Sequence, residues 1–328
     1  MKEPKSLQEA IIYFSNPDNC IDYLAIRRWV DGKVICPTCG SDSVKFSEKR
    51  RTWQCASHHA KREFSIKVGT VMEDSAIGLD KWLTAMWLVT NCKNGVSSYE
   101  IARDLKVTQK SAWFMLHRIR LAMQTDSPDK IGGSGPVEVD ETFIGGKFAN
   151  MHKAKKEKMA EIRGKQLKGD HLHKSIVMGM LDRDLREVRA KVVPNVKRET
   201  LQNEILREVT RQSTVYTDEW IGYARVHQEF VHEVINHAET YVNGQVHTNG
   251  IENFWSLLKR TLKGTYVAVE PFHLQRYIDE QVFRFNNRAT KKRMVSDADR
   301  FSLAVSKIVG KRLTFAELTG KTADATCF

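Results

Sequence analysis

The chain lacks several features that would place it outside the cytosol. No run of apolar residues approaches the ~18 that a membrane-spanning helix needs. The segment from Met1 to Ala10 is polar and has no apolar core of a secretory signal. The six cysteines show no regular disulfide spacing, and clustered cysteines in a reducing compartment more often bind metal. We therefore expect a cytoplasmic protein with reduced cysteines.

Acidic residues are scarce relative to basic ones. The 328 residues include 52 Lys and Arg against 40 Asp and Glu, which gives a formal net charge of +12 at pH 7. This balance favours a polyanionic partner, because Lys and Arg that contact phosphates release condensed counterions. Basic housekeeping proteins show the same excess, so charge alone does not identify a nucleic acid. The length is sufficient for two or three domains.

Three of the cysteines cluster in a pattern that is typical of a zinc ribbon. Cys36 and Cys39 form one C-x2-C pair, and Cys55 with His58 forms a second pair after fifteen intervening residues. The intervening segment has two strand-like runs around a polar turn, as a hairpin does. Because zinc prefers four tetrahedral N or S ligands, we predict one structural Zn²⁺ on these four residues, with His59 as the rival fourth ligand. Free surface thiols are the alternative.

Residues 75–125 change to a helical period and predict a helix-turn-helix DNA-binding domain. Apolar residues recur at i, i+3, i+4 and i+7 from Trp82, and Thr108 caps a later helix. In a helix-turn-helix the second helix enters the major groove by its N-terminal residues. Any small three-helix bundle shows the same period, and that alternative stays open. The predicted DNA-binding residues are Thr108, Gln109, Lys110, Trp113 and, at the far end beside His117 and Arg120, Arg118.

After a linker at residues 126–136, which has glycine and proline punctuation, the pattern changes to strands. The first strand alternates, with Val137 and Val139 on one face and Glu138 and Asp140 on the other. The elements expected next are strands at 175–181 and 187–193, a helix at 199–210, and strands at 214–218 and near 232–235.

Three acids lie where these elements would bring them together. Asp140 is in the first strand, Asp218 ends the fourth, and Glu252 lies in an amphipathic helix that starts near Thr248. Two strand-borne aspartates and a helix-borne acid, after a three-strand meander and a helix, follow the order of an RNase H-like fold. The layout indicates a divalent-metal phosphoryl-transfer site.

Each acid also has an ordinary interpretation. Glu252 could be the capping-box partner of Asn249. Asp218 could be a turn acid, and Asp140 a solvent-facing strand residue.

At this point the chain resembles bacterial insertion-sequence transposases of the DDE class that carry an N-terminal zinc ribbon and an ISXO-type transposase domain. The matching stretches cover most of the chain from Cys36 to Arg288: C-P-T-C, R-E-F-S-I-K-V-G-T-V-M-E, V-E-V-D-E-T-F-I-G-G-K, V-Y-T-D-E-W-I-G-Y, H-T-N-G-I-E-N-F-W-S-L-L-K-R and Y-I-D-E-Q-V-F-R-F-N-N-R.

The resemblance implies a catalytic set and its metals. Asp140, Asp218 and Glu252 would bind two Mg²⁺ ions, with Mn²⁺ as a possible substitute, and Lys259 would lie near DNA. Asn249 is a rival or helper for the third position, because some relatives use an Asn there. His58 stands where a fourth Cys is common in the family, and a histidine preserves zinc binding.

The expected architecture is a multidomain α+β protein. The expected segments are an N-terminal segment and zinc ribbon at 1–74, a helix-turn-helix at 75–125, a linker at 126–136, an RNase H-like (retroviral integrase-like) α/β catalytic domain at 137–288, and a basic helical extension at 289–328. Lys153–Lys174 is expected to form a solvated loop, with DNA-backbone contact as the alternative. His237 and His247 are left out of the site.

The expected function is that of a DNA transposase. Such an enzyme binds the terminal inverted repeats of an insertion sequence, cleaves DNA in the presence of Mg²⁺ and transfers the freed strand to target DNA. Pairing two ends requires at least a dimer on DNA. A regulator that binds DNA without cutting it, or a junction resolvase that cuts without joining, are the alternatives.

Overall fold

The structure is a computed structural model. It describes residues 2–125, 127–146, 148–163, 173–218, 229–235, 247–291 and 293–321. The chain divides into two compact units. The first comprises Met1–Thr125, Gly264–Tyr266 and Asn287–Phe328, and the second comprises Asp126–Lys263 and Val267–Asn286. None of the helices in the described ranges has both the length and the apolar character that crossing a membrane requires.

A small antiparallel sheet occupies the ribbon region of the first unit. Its strands are β1 (Val44–Ser47), β2 (Thr52–Cys55) and β3 (Glu63–Phe64), in that order across the sheet. Trp53 of β2 pairs with Phe46 of β1 and with Phe64 of β3. The Trp53 ring is buried, with the Trp29 ring 5.3 Å away between centroids. The hairpin predicted between the cysteine pairs is confirmed, and an aromatic cluster stabilises it.

Helices form the rest of the first unit. They are α1 (Leu7–Phe14), α2 (Pro17–Arg28), α3 (Leu79–Asn91), α4 (Ser98–Asp104), α5 (Gln109–Met123), α10 (Asp297–Ser306) and α11 (Phe315–Leu318). Helix α4 begins with a capping box between Ser97 and Glu100, and the Thr108 side chain accepts a hydrogen bond from the Ser111 N–H at the start of α5. The predicted succession of helix, turn and helix is therefore present.

The C-terminal segment is part of this unit rather than a separate extension. Phe301 of α10 is fully buried. Its ring centroid lies 5.7 Å from that of Phe14, 5.4 Å from that of Tyr23 and 4.9 Å from that of Trp87. The basic run after Arg288 predicts a separate extension at residues 289–328. The apolar residues of α10 instead complete the core formed by α1, α2 and α3.

The second unit contains a five-stranded sheet with the order β6-β5-β4-β7-β8. Its elements are β4 (Val137–Ile144), α6 (Lys153–Arg163), β5 (Ser175–Asp182), β6 (Glu187–Val193), α7 (Arg198–Glu208), β7 (Thr214–Asp218), β8 (Val231–Ile235), α8 (Asn249–Thr261) and α9 (Leu274–Asn286). Strands β4, β5 and β6 form an antiparallel meander, while β7 runs parallel to β4 and β8 parallel to β7. Meander, helix, strands and helix follow the RNase H-like order expected from the sequence.

The predicted alternation of β4 is confirmed. Val137 and Val139 belong to a buried cluster with Leu201 and Ile205 of α7, while Glu138 accepts a hydrogen bond from Ile251 at the start of α8. One face of the sheet therefore packs on α7 and the opposite face on α8. The segment Lys153–Lys174 differs from its expected loop, since its first part forms α6, and residues 164–172 lie outside the described ranges.

Candidate active site

Two of the predicted acids belong to neighbouring parallel strands. Strand β4 pairs with β7 through Val137 and Val215, then through Glu138 and Tyr216. Asp140 lies two residues beyond Glu138, and Asp218 lies two residues beyond Tyr216. Both acids therefore lie on the C-terminal side of the residues through which the two parallel strands pair. The side chain of Asp218 is outside the described part of the structure.

Helix α8 brings the third acid to the same edge. Ile251, Phe254, Trp255 and Leu258 are buried along one stripe, and Glu252 and Ser256 are exposed on the next. An open cleft of about 490 Å³ is lined by Asp140, Glu141, Thr142, Glu252, Trp255, Ser256 and Lys259. The structure thus brings Asp140 together with Glu252 and Lys259, although more than a hundred residues of sequence separate Asp140 from the other two.

Asp140 is held by two hydrogen bonds from fixed groups. The Glu141 N–H donates to its Oδ1 at 2.8 Å, and the Trp255 Nε1–H donates to its Oδ2 at 2.9 Å. Trp255 and Ser256 did not enter the predicted site, because the sequence pattern assigned Trp255 to the apolar stripe of α8. Chemistry offers an indication of this contact, because a buried tryptophan usually needs an acceptor for its N–H.

The start of α8 is tied to the sheet by a buried carboxylate. The Glu138 side chain is 1% exposed and accepts hydrogen bonds from the Ile251 N–H at 2.8 Å and from Arg183 Nε at 2.5 Å. Arg183 also contacts His247 Nδ1 at 2.7 Å. A Cβ on Gly250 would lie 2.4 Å from Leu181 Cδ2 and 2.8 Å from Glu138 Oε2, so a larger residue here would displace these side chains. This network positions the turn of α8 that carries Glu252.

Asn249 is the first residue of α8, is exposed, and is absent from the lining of the cleft. The capping-box interpretation of Glu252 is wrong, because the N-cap is Thr248 rather than Asn249. The Thr248 hydroxyl donates instead to Glu252 Oε1 at 3.1 Å. His247 belongs to the Arg183 network described above, and His237 lies outside the described residues.

The zinc-ribbon ligands converge in the first unit, with one correction. Cys36, Cys39, Cys55 and His59 have ligand atoms within 4.8 Å of one another. His59 Nε2 lies 3.5 Å from Cys36 Sγ, whereas His58 is exposed and outside the cluster. The predicted fourth ligand His58 is therefore replaced by its rival His59. A closed set of three thiolates and one imidazole suits a structural zinc ion.

The pKa of the Cys55 thiol is lowered, which favours metal binding. Burial acts to raise its pKa, but hydrogen bonds from His59, the Ser57 backbone and Cys39 outweigh burial and lower the pKa to about 6. At neutral pH this residue is therefore mainly a thiolate, which is the form that binds zinc.

The predicted DNA-binding helix α5 is open only at its start. Thr108 and Lys110 are exposed, and Gln109 and Trp113 are half-buried. Arg118 is 4% exposed, and its guanidinium donates to the Glu73 carbonyl and lies over the Trp82 ring at 5.4 Å. The prediction that Arg118 contacts DNA is therefore wrong, because its charge is turned into the core of the unit. His117 and Arg120 are buried in the same half of the helix.

The fold and the cleft define the class of protein: an RNase H-like α+β unit with acids on β4, β7 and α8, in one chain with a zinc ribbon. Two family models match the chain. The ISXO2-like transposase domain matches residues 133–286, and the transposase zinc-ribbon domain matches residues 15–59.

Two proteins from other organisms are similar to the chain. A protein in the transposable element ISH50 of Halobacterium salinarum is 28% identical over 257 residues, covering 76% of this chain and 84% of that protein. A transposase-like protein of Haemophilus influenzae is 36% identical over 109 residues, covering 33% of this chain and 88% of that protein. The chain belongs to the ISXO2-like transposase family.

Among solved structures, a simian T-cell lymphotropic virus intasome in complex with the PP2A regulatory subunit B56 gamma has a TM-score of 0.31 and 12% sequence identity. The likeness covers 67% of this chain and 74% of that one.

Proposed function

We propose that the protein is a DNA transposase that binds the terminal inverted repeats of an insertion sequence and catalyses Mg²⁺-dependent cleavage and strand transfer. The observation that carries this proposal is the cleft lined by both Asp140 and Glu252, with Asp218 at the end of the adjacent parallel strand β7. The family of the chain supports the same reaction, and its net charge of +12 suits a DNA substrate.

The donors of the cleft fit a hard divalent cation. Carboxylate oxygens are the ligands that Mg²⁺ and Mn²⁺ prefer, and Asp140, Asp218 and Glu252 would hold the ions. When bound, two such ions activate the attacking hydroxyl and stabilise the attacking and leaving oxygens of a phosphodiester.

The remaining groups of the cleft would act on the substrate. Lys259 places a cation on the same stripe of α8 as Glu252, where it would contact the DNA backbone. Asn249 lies outside the lining of the cleft and is proposed only as a helper at the helix start.

DNA recognition is assigned to the first unit. We propose that α4 and α5 act as a helix-turn-helix whose exposed start, with Thr108, Gln109, Lys110 and Trp113, contacts the terminal repeats. The zinc ion would stabilise the ribbon and take no part in catalysis. Because strand transfer joins two transposon ends to target DNA, the active form would be at least a dimer on DNA. We propose that the protein acts on DNA in the cytoplasm.

The test uses purified protein and a labelled duplex that carries the repeats flanking the gene. Asp140→Asn, Asp218→Asn and Glu252→Gln should each abolish cleavage and joining in Mg²⁺ while DNA binding remains. Glu199→Gln is the matched control, because Glu199 is an exposed acid on α7, which packs on the opposite face of the sheet. Binding without cleavage by the wild type would favour a regulator, and cleavage without joining would favour a resolvase. Undiminished cleavage by Asp140→Asn would refute the site.

A further inference from the structure

A neutral donor fixes the central carboxylate of the cleft. The Trp255 indole N–H reaches Asp140 Oδ2 at 2.9 Å, and the neighbouring Glu141 N–H reaches Oδ1 at 2.8 Å. A carboxylate offers about four acceptor positions, and these two donors occupy one on each oxygen. Together they set the plane of the Asp140 carboxylate.

The indole itself is held in place by the sheet. Gly179 of β5 pairs directly with Asp140 of β4. A Cβ on Gly179 would lie 2.5 Å from Trp255 Cη2 and 2.6 Å from Cζ2, so the ring rests on the bare backbone of β5. Trp255 is only 4% exposed, and the Phe254 ring lies 5.2 Å away between centroids. The donor therefore has little freedom to follow a moving carboxylate.

The kind of donor matters as much as its position. An indole N–H donates a hydrogen bond but accepts none and carries no charge. Unlike Lys or Arg in the same place, it orients Asp140 without neutralising the negative charge that attracts a cation. Trp255 thus satisfies the two requirements of an outer-shell partner of a metal ligand: it restricts the ligand and preserves its charge.

We propose that Trp255 is a positioning residue that orients Asp140 toward a divalent cation. Gly179 leaves the space that the Trp255 ring occupies. The inference rests on the proposed function, because it concerns the cation of the same cleft. Loss of an outer-shell partner costs roughly 10- to 100-fold in metal affinity. Trp255→Phe keeps one aromatic ring and removes the N–H, so the dissociation constant for Mn²⁺ should rise about 10-fold.

The experiment measures Mn²⁺ binding directly. Full-length zinc-loaded protein is titrated with Mn²⁺, and free Mn²⁺ is followed by its electron paramagnetic resonance signal. Trp87→Phe is the matched control, since Trp87 is equally buried but lies in the first unit. Wild type and Trp87→Phe should bind alike, Trp255→Phe about 10-fold more weakly, and Asp140→Asn more weakly still. Cleavage by Trp255→Phe should recover as Mn²⁺ is raised, which a general loss of structure would not allow.

Equal Mn²⁺ affinity in Trp255→Phe and wild type, with Asp140→Asn impaired, would overturn the inference and leave the proposed function standing. Equal affinity in Asp140→Asn and wild type would overturn the cation site itself, and with it both proposals. If Trp255→Phe does not fold, the benzothiophene analogue of tryptophan incorporated at position 255 decides the question, because it keeps the two-ring shape and lacks the N–H.

Discussion

Removing the Arg183 guanidinium should destabilise the second unit strongly. In Arg183→Met the Glu138 carboxylate, 1% exposed and 2.5 Å from Arg183 Nε, loses its charged partner. Breaking a buried ion pair by removing one member costs about 3–5 kcal/mol, because the remaining charge is left uncompensated in a medium that solvates it poorly. The Arg183 side chain is itself 16% exposed, so we expect the lower half of that range.

The assay is urea unfolding of the full chain together with hydrogen exchange of the peptide that contains Ile251. The Ile251 N–H donates to Glu138 Oε2 at 2.8 Å, so its protection reports on this network. Arg207→Met is the matched control: Arg207 pairs with Glu204 and Glu208 on the surface of α7, is 50% exposed, and should cost less than about 1 kcal/mol. A destabilisation by Arg183→Met no larger than that of Arg207→Met would refute the assigned role of Glu138.

Three further predictions concern the first unit. His59→Ala should remove zinc from the purified protein while His58→Ala retains about one zinc per chain by elemental analysis; equal zinc in both would contradict the ligand set. Phe301→Ala should destabilise the first unit by about 3–5 kcal/mol in thermal unfolding, and a change below 1 kcal/mol would show that α10 does not complete its core. Lys110→Ala should reduce the slope of log K against log[salt] for DNA binding by about one phosphate contact. Arg118→Met should leave this slope unchanged and lower the stability of the protein by about 1.5–3 kcal/mol, because a hydrogen bond of its guanidinium is lost. A changed slope in Arg118→Met would show that Arg118 contacts DNA.

Local patterns predicted the secondary structure of the second unit well. The alternation around Val137 and Val139 fixed which face of β4 is buried, and β7 has the bounds expected from the sequence, Thr214–Asp218. Strands of this kind are predictable because their burial pattern repeats every two residues. The order of elements also predicted that Asp140 and Asp218 belong to neighbouring parallel strands.

What the sequence did not reveal depends on contacts between distant residues. The C-x2-H spacing favours His58 over its rival His59, but the path of the chain after Cys55 brings His59 to the three thiols. Arg118 is predicted to contact DNA because arginine is usually exposed. In the structure its guanidinium donates a hydrogen bond to the Glu73 carbonyl and lies against aromatic rings. The sequence does not predict the structural role of Glu138, because its partners Arg183 and Ile251 belong to distant segments of the chain.

The first unit is assembled from both ends of the polypeptide, with the residues of the cleft encoded between them. Phe301 is synthesised after the whole of β4 to α9, so its contacts with Phe14, Tyr23 and Trp87 can form only after that region has been made. A polypeptide truncated within the second unit would contain the zinc ribbon and the first helices but would lack Phe301. Completion of the first unit is thereby coupled, in time, to synthesis of the second.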